Sequence, residues 1–253
     1  MQSLDLATLR PYIFLVCIIT SIISAKFHPA FKNTCKKRLK INTILFALSI
    51  LTLRVAFPMG LYQLAVQVQS TDRSVLGLSN IPYSAILTII LFDLAIYWQH
   101  RLSHIIKPIW ALHAVHHADT EMDFTTALRF HPIEIALSGL YKMMLITFFG
   151  PTAISFLIYE IILNSMAVFN HSNIKLPNKL ERVLRLFIVT PQMHFPHHHP
   201  SKELTNSNYG NFLSIWDRIF KSYTPEYTDT FGLDYVSDEN AKSLQRQLFL
   251  NLK

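Results

Sequence analysis

Residues 97–117 read YWQHRLSHIIKPIWALHAVHH and continue an apolar run that begins near Ile81. The histidines of this stretch follow the patterns H-x-x-x-H and H-x-x-H-H; they are His100, His104, His113, His116 and His117. On a helix, residues three or four positions apart share a face, so the imidazoles of each pattern can converge on one point. The stretch therefore predicts helices that carry histidines from an apolar segment to a shared site.

A second H-x-x-H-H pattern occurs far along the chain, at His194, His197 and His198. The three clusters together hold eight imidazoles, whereas a structural zinc takes four ligands and an octahedral ion six. The clusters therefore predict a site for two metal ions. Because imidazole binds iron, copper, nickel and zinc, the ligand type leaves the metal open.

The composition is that of a membrane protein. Of 253 residues, 51% are hydrophobic and 15% charged, and the mean hydropathy of +0.27 is high for a soluble domain. Two cysteines, Cys17 and Cys35, exclude a disulfide framework and a cysteine-based metal site. The net charge of +7 is read as a topology signal rather than as nucleic-acid binding, because basic residues without acidic neighbours separate the first two apolar segments. They are Lys26, Lys32, Lys36, Lys37, Arg38 and Lys40.

Apolar segments of near-spanning length favour an all-α integral membrane fold, since ~20 residues cross ~30 Å of hydrocarbon. We expect four to five membrane-embedded helices and a cytoplasmic, histidine-rich helical cap that holds a dinuclear metal site. The first segment lacks the features of a cleaved signal peptide and is expected to be retained. The second is interrupted near Pro58. The segments run roughly over residues 11–25, 41–66, 81–98, 133–149 and 152–169.

The basic loop at 26–40 is expected to be cytoplasmic by the positive-inside rule, which places the N-terminus outside. The third span then re-enters the cytoplasm at His100. A multi-pass protein of the bacterial inner membrane or the endoplasmic reticulum is expected, with His131, His171 and the clustered histidines all on the cytoplasmic side.

A tight Gly150-Pro151 turn joins the last two apolar segments, which predicts a helical hairpin that leaves this side and returns to it. Lys142 and Glu160 each lie nine residues from residue 151, so both are ~13 Å from the turn. Because an unpaired charge in the membrane is costly, we expect these two side chains to pair.

Asp93, Tyr97, His100 and His104 are spaced by four, three and four residues and form one helical stripe. The Asp93 carboxylate is a candidate to accept the second ring N–H of His100 and fix its tautomer. A helix–helix hydrogen bond unrelated to metal is the alternative.

Further motifs surround the histidine clusters in a fixed order. They are R-x-H-P-x-E from Arg129, N-H-x-N from Asn170, T-P from Thr190, N-Y-G from Asn208 and W-D-R-x-F from Trp216. With the clusters, this set resembles the sterol desaturase / fatty acid hydroxylase superfamily over about residues 80–222. The resemblance implies a membrane histidine-box di-iron oxygenase that uses dioxygen and two electrons to hydroxylate or desaturate a lipid, such as a sterol, a fatty acyl chain or a related alkyl substrate.

The resemblance carries the eight clustered histidines over as ligands of two iron ions, with zinc an alternative occupant in isolated protein. His171 matches a further ligand, and His131 is a candidate ligand, a support for one, or a structural residue. His28 and His199 are expected to be bystanders. No nucleotide-binding or haem-attachment motif is present, so electrons are expected from a separate protein of the ferredoxin or small-cytochrome type. The basic loop is a candidate docking surface for it, with topology alone as the other explanation.

Two departures from the superfamily pattern leave the substrate subgroup open. Lys221-Ser222 stands where many relatives have Gly-Thr, and Asn206-Ser207 where an acidic residue often occurs. The expected organisation is membrane helices with a basic cytoplasmic loop (1–80), a catalytic domain (81–222) and a C-terminal cytoplasmic tail (223–253).

Two other functions compete with lipid oxidation. A membrane metal carrier or sensor would bind zinc without redox chemistry, with ligands along a path through the bilayer. A zinc-dependent lipid hydrolase would need a carboxylate base, for which Glu134 is the nearby candidate. Hydroxylation and desaturation are both compatible with the sequence, because both begin by cleaving a C–H bond.

Overall fold

Helices form the regular structure of residues 6–32 and 36–249, the parts of the chain that this computed structural model describes. The longer helices are α1 (Leu6–Phe27), α2 (Lys36–Ala56), α3 (Leu61–Thr71), α4 (Ser84–Ile105), α5 (Lys107–His117), α6 (Pro132–Phe149) and α7 (Ala153–His171). The short ones are α8 (Asn178–Leu184), α9 (Pro191–His194), α10 (Lys202–Thr205), α11 (Ile215–Ile219), α12 (Asp238–Ala241) and α13 (Leu244–Leu248). Single 3₁₀ turns cover Leu78–Asn80, Thr126–Leu128 and Phe195–His198.

Five helical segments in the described residues are long and apolar enough to cross a membrane. This confirms the all-α membrane fold and the upper end of the expected number of embedded helices. Their hydrophobic side chains include many that face outward, as expected where lipid replaces water as the surrounding solvent. The segments are Thr8–Phe27, Lys37–Thr71, Ser84–Ile105, Pro132–Phe149 and Ala153–His171.

The second span is bent where the sequence predicted an interruption. Helix α2 ends at Ala56 because Pro58 disfavours helical geometry at Phe57, and α3 begins after Gly60, whose φ is 77°. The ring of Phe57 lies over α6 at Gly139. A Cβ on that glycine would be 2.4 Å from the ring, so only glycine permits this approach.

Helices α6 and α7 are joined by the predicted tight turn but do not pack closely on each other. Gly150 has a φ of 62°, and Thr152 caps α7 by accepting the N–H of Ser155. Beyond the turn, α7 packs on α1 and α4, whereas α6 packs on α2, and α3 contacts both α6 and α7. A closely packed hairpin is therefore not formed.

The divergence of these two helices makes the expected Lys142–Glu160 ion pair wrong. Glu160 instead forms an ion pair with Arg10 of α1, at 2.8 Å. Within the described part of the chain, Lys142 forms no ion pair, although it interacts with Glu160 through space. Both side chains nevertheless line one cavity between the helices.

The segments 107–131 and 172–249 form a cap over the end of the bundle where α4 and α7 finish, which we call the histidine end. Asn173 fastens the cap to the exit of α1 by accepting the N–H groups of Ala30 and Phe31. Arg38, at the start of α2, is buried in an ion pair with Asp119 of the cap at 2.8 Å. The bundle and cap are thus joined by polar contacts at the ends of the spans.

The described part of the segment expected to be a tail, residues 223–249, is a part of this cap and packs on the rest of it. Phe231 contacts Phe31 and Phe195. The buried guanidinium of Arg129 donates to the carbonyl of Ala241 and to the side chain of Gln247, both at 2.8 Å.

Adding a methyl group at Gly139 tests the bend between α2 and α3. Gly139→Ala should lower the free energy of unfolding by about 1–3 kcal/mol, because the new Cβ overlaps the Phe57 ring. Thermal denaturation in detergent measures the change. In the double variant with Phe57→Ala, the two losses should be clearly less than additive. Additive losses would contradict the close approach.

Candidate metal centre

The structure brings together nine of the histidines that the sequence predicted as ligands, in two groups at the histidine end. Within each group, the candidate ligand atoms all lie within 4.8 Å of one another. The first group is His100, His104, His113, His117 and His197. The second group is His116, His171, His194 and His198.

Separate local structures aim these side chains at the same volume. The end of α4 supplies two histidines one turn apart, α5 supplies three on its last turns, and the final residue of α7 is His171. The last cluster is held in a compact turn, because Thr190 caps α9 by accepting the N–H of Met193 and Pro196 follows in a 3₁₀ turn. The change from α to 3₁₀ geometry is the interruption that Pro196 introduces.

Hydrogen bonds at Nδ1 fix the tautomers of several rings. His100 lies 2.8 Å from the carbonyl of Tyr209, and His197 lies 2.7 Å from that of Ser207. Because a carbonyl only accepts, both Nδ1 atoms must carry the proton, which leaves the lone pair on Nε2. The two Nε2 atoms are 2.9 Å apart.

The second group repeats this arrangement. His116 donates from Nδ1 to the carbonyl of Arg129 at 3.2 Å, and His171 to that of Ala167 at 2.7 Å. Their Nε2 atoms are 3.1 Å apart. Two bare lone pairs at this distance repel each other unless a cation lies between them. The donor set of each group therefore fits a bound metal ion.

Burial supports the same conclusion. Both ring nitrogens of His104 are buried and form no hydrogen bond of normal geometry with any residue that the structure describes, a costly state for a polar group that has no ligand. Burial, followed by the charges of neighbouring histidines, lowers the pKa of the rings in the cap well below the usual value. These rings are His116, His117, His194, His197 and His198. They are therefore neutral near pH 7, the form that binds metal.

Glu134 supports the first group, a role that was not predicted from the sequence. Its Oε1 lies 2.6 Å from Nδ1 of His113, and the residue is buried at the start of α6. A carboxylate on the outer nitrogen of a ligating imidazole fixes the ring and raises its basicity. The sequence offered only the R-x-H-P-x-E spacing as a signal for this role.

The expectation that Asp93 supports His100 directly is wrong. Asp93 accepts hydrogen bonds from the N–H groups of Phe212 and Leu213 and from Nε1 of Trp216, at 3.3, 3.0 and 2.8 Å. It points to this loop because the carbonyl of Tyr209 already occupies Nδ1 of His100. Asp93 thus supports His100 indirectly. It holds the chain segment that follows Tyr209, whose carbonyl bonds to His100.

Asp217 of the W-D-R-x-F motif completes that support. Its carboxylate accepts the N–H groups of Tyr209 and Gly210 at 2.8 and 2.9 Å, and the hydroxyl of Ser222 at 2.8 Å. Ser222, one of the departures from the superfamily pattern, therefore provides a hydroxyl donor at its position. Lys221, which precedes Ser222 in the same departure, has a φ of 57°, a conformation that favours glycine.

The remaining histidines lie outside both groups. His131 caps α6, with Nδ1 accepting the N–H of Ile133 and Nε2 3.3 Å from the carbonyl of Leu248. His199 accepts the N–H of Ser201. His28 is exposed. A structural role thus accounts for the side chains of His131 and His199.

Removing the Glu134 carboxylate tests its support of the first group. Glu134→Ala should weaken metal binding about 10–100-fold, because His113 loses its anchor. Glu134→Gln should lose less metal affinity than Glu134→Ala, since the amide oxygen of glutamine can also accept the Nδ1 proton of His113. Competition with a chelator, followed by metal analysis, measures both variants. Exposed Glu203 provides the control, Glu203→Ala, and equal loss in all three variants would contradict the assignment.

The low pKa values predict how the metal-free protein responds to acid. In the unfolded chain these histidines take up protons below about pH 6.5, whereas the folded protein resists protonation. Stability should therefore be greatest above that pH and fall as the pH decreases from about 7.5 to about 5.5. Thermal denaturation of metal-stripped protein measures this trend. A denaturation temperature that rises toward acid would contradict neutral histidines.

Comparison with known proteins agrees with this site. The model of the fatty acid hydroxylase family matches residues 85–222. Human alkylglycerol monooxygenase is 29% identical over 57% of this chain and 31% of its own length. The ornithine lipid hydroxylase OlsE of Rhizobium tropici is 25% identical over 56% of this chain and 42% of its own. Human lathosterol oxidase is 28% identical over 83% of this chain and 69% of its own.

The chain spans about a third of the length of the alkylglycerol monooxygenases that it matches. No solved structure matches it. The matched segment begins at the start of α4 and ends at Ser222, so it contains all nine grouped histidines together with Glu134 and Asp217. Because the family model covers more than half of the 253 residues, this chain belongs to the fatty acid hydroxylase family of the sterol desaturase / fatty acid hydroxylase superfamily.

Proposed function

We propose that the protein is a membrane-bound, non-haem di-iron oxidoreductase that hydroxylates or desaturates a lipid with dioxygen. The observation that carries this proposal is the presence of two adjacent histidine groups whose bare Nε2 atoms converge. Each group has enough ligands for one ion. The relatives are named as lipid oxidases, hydroxylases or monooxygenases, which supports the reaction class.

The first group would hold one iron ion and the second group the other. Bound there, the pair would supply the activation of dioxygen that oxidation of an unactivated C–H bond requires. The protein's own residues orient the rings, through the carbonyls of Ser207, Tyr209 and Arg129 and the carboxylate of Glu134. Burial of the histidines keeps bulk water from the site.

A cavity of about 200 Å³ beside the second group offers a place for an apolar substrate chain. Its wall nearest the histidines includes Phe130, whose ring stacks on His116 with centroids 4.6 Å apart. Ala167, whose carbonyl bonds to His171, is a second wall residue. The cavity lies between membrane-spanning helices, so a lipid would reach it from the bilayer.

The geometry gives less support to the two competing functions. In a zinc hydrolase, Glu134 would serve as the base, but its carboxylate lies 2.6 Å from the outer nitrogen Nδ1 of His113, whereas Nε2 of that ring faces the other histidines. In a carrier, ligands would follow a path through the bilayer, whereas both groups lie at one end of the bundle.

We further propose that the histidine end faces the cytoplasm of a bacterial inner membrane or the endoplasmic reticulum, and that a ferredoxin or small cytochrome delivers electrons there. Lys37 and Lys40 are exposed near this end and would contribute to docking. Arg38 does not belong to that surface, because it is buried against Asp119. Charge reversal at Lys37 and Lys40 therefore tests docking without disturbing the buried ion pair between Arg38 and Asp119.

Metal content and oxygen use test the proposed function together. The purified protein should contain two iron ions per chain and, with a reductant, consume oxygen as a lipid gains one oxygen or loses two hydrogens. His116→Ala should abolish lipid oxidation and lower the metal content, whereas His28→Ala, which changes an exposed histidine, should do neither. Metal analysis and mass spectrometry of a broad lipid panel are the measurements.

Zinc-loaded protein that cleaves lipids without oxygen would favour the hydrolase. An iron-loaded protein that leaves the whole panel unchanged would contradict lipid oxidation.

A further inference from the structure

The cavity beside the histidines is not apolar throughout. At the end remote from the metal centre, three charged side chains from different helices face it: Arg10 of α1, Lys142 of α6 and Glu160 of α7. Glu160 lies eleven residues before His171 on α7, which places its backbone ~16 Å from that histidine along the helix. One cavity thus connects a charged cluster inside the membrane with the wall of the metal centre.

The charges of this cluster do not cancel. Arg10 and Glu160 form an ion pair at 2.8 Å, which leaves the ammonium of Lys142 as an excess positive charge. Among the residues that the structure describes, none gives Lys142 a direct ion pair or a hydrogen bond. A charge inside the membrane is expensive to bury without a partner and marks a functional site by default.

Two neutral polar groups line the same cavity. Ser49 of α2 is 6% exposed, and its hydroxyl has no hydrogen-bond partner in the described residues. Asn164 of α7 donates its amide to the carbonyl of Glu160 at 2.8 Å. The buried hydroxyl of Ser49 is thus a donor that a ligand would satisfy.

We propose that the remote end of this cavity binds the anionic group of a lipid, a carboxylate or a phosphate, with Lys142 as its main ionic partner. The lipid chain would then run along the cavity toward His116 and His171. This inference rests on the proposed lipid oxidation for the statement that the bound lipid is the substrate. It makes the cluster a determinant of specificity, because the distance between the anchored group and the metals would set which carbon is oxidised.

Binding measured without turnover tests the site. Full-length protein in neutral detergent, kept under nitrogen without reductant, is titrated with palmitate, 1-palmitoylglycerol phosphate and neutral 1-palmitoylglycerol, and the bound lipid is quantified by native mass spectrometry. At least one anionic probe should bind about tenfold more tightly than the neutral one, as expected for a charge-assisted hydrogen bond. The probe that binds more tightly distinguishes a fatty acid from a phospholipid as the source. Equal affinity for all three would overturn the proposal.

Matched variants distinguish lipid binding in the cavity from binding to exposed lysines on the surface. Lys142→Met should reduce the preference for the anionic probe to about twofold or less. Lys40→Met, the same change at an exposed position, should leave the preference intact. A preference that survives Lys142→Met but disappears in Lys40→Met would assign the effect to the surface and overturn the site.

Glu160→Gln is expected to change the affinity for the anionic probe in the opposite direction. It therefore tests the site even if the Lys142 variant does not fold. Removing the carboxylate frees the guanidinium of Arg10, so the affinity for the anionic probe should increase. No increase in a folded Glu160→Gln protein would contradict the proposal. The binding measurement does not depend on oxygen or turnover. If the protein prefers the anionic probe but oxidises no lipid, the anion site stands and only the proposed function is contradicted.

Discussion

The protons on the outer nitrogens of the buried imidazoles are the constraint on which the histidine end depends. His100, His113, His116, His171 and His197 each point Nδ1 at a carbonyl or carboxylate oxygen. The Nε2 atoms of these rings are therefore hydrogen-bond acceptors that face one another. This arrangement is stable only when a positive charge lies between them. The cap motifs outside the histidine clusters act mainly by positioning these oxygens. Asp217 and Asp93 hold the loop that supplies the Tyr209 carbonyl, and Arg129 supplies another.

Much of this could be predicted from the sequence because it depends on periodicity. Helical spacing predicted that the clustered histidines converge, although the structure divides each H-x-x-H-H pattern between the two groups. The apolar segments anticipated five spans, including the break at Pro58. Topology placed His171 near the clusters. The metal ions and their chemistry still rest on the proposal, since imidazole alone does not select iron.

The predictions that were wrong all concerned which of several neighbours a polar side chain would choose. Glu160 pairs with Arg10 rather than Lys142, because α6 and α7 diverge beyond Gly150. Asp93 lies on the predicted stripe but reaches the loop at 212–216, since a main-chain carbonyl from a distant segment takes His100. Helical periodicity determines a face, whereas the partner depends on segments more than a hundred residues away. Main-chain acceptors in particular leave no trace in a pattern of side chains.

The buried guanidinium of Arg129 has a consequence for biosynthesis. It bonds to Asn42 of α2 and to Ala241 and Gln247 of the cap, while the carbonyl of the same residue orients His116. During translation, the second histidine group therefore cannot reach its final geometry until residue 247 has left the ribosome, well after every spanning helix has entered the bilayer. Metal loading would then be a late event in maturation, and a nascent chain would display its histidines without a finished site to hold them.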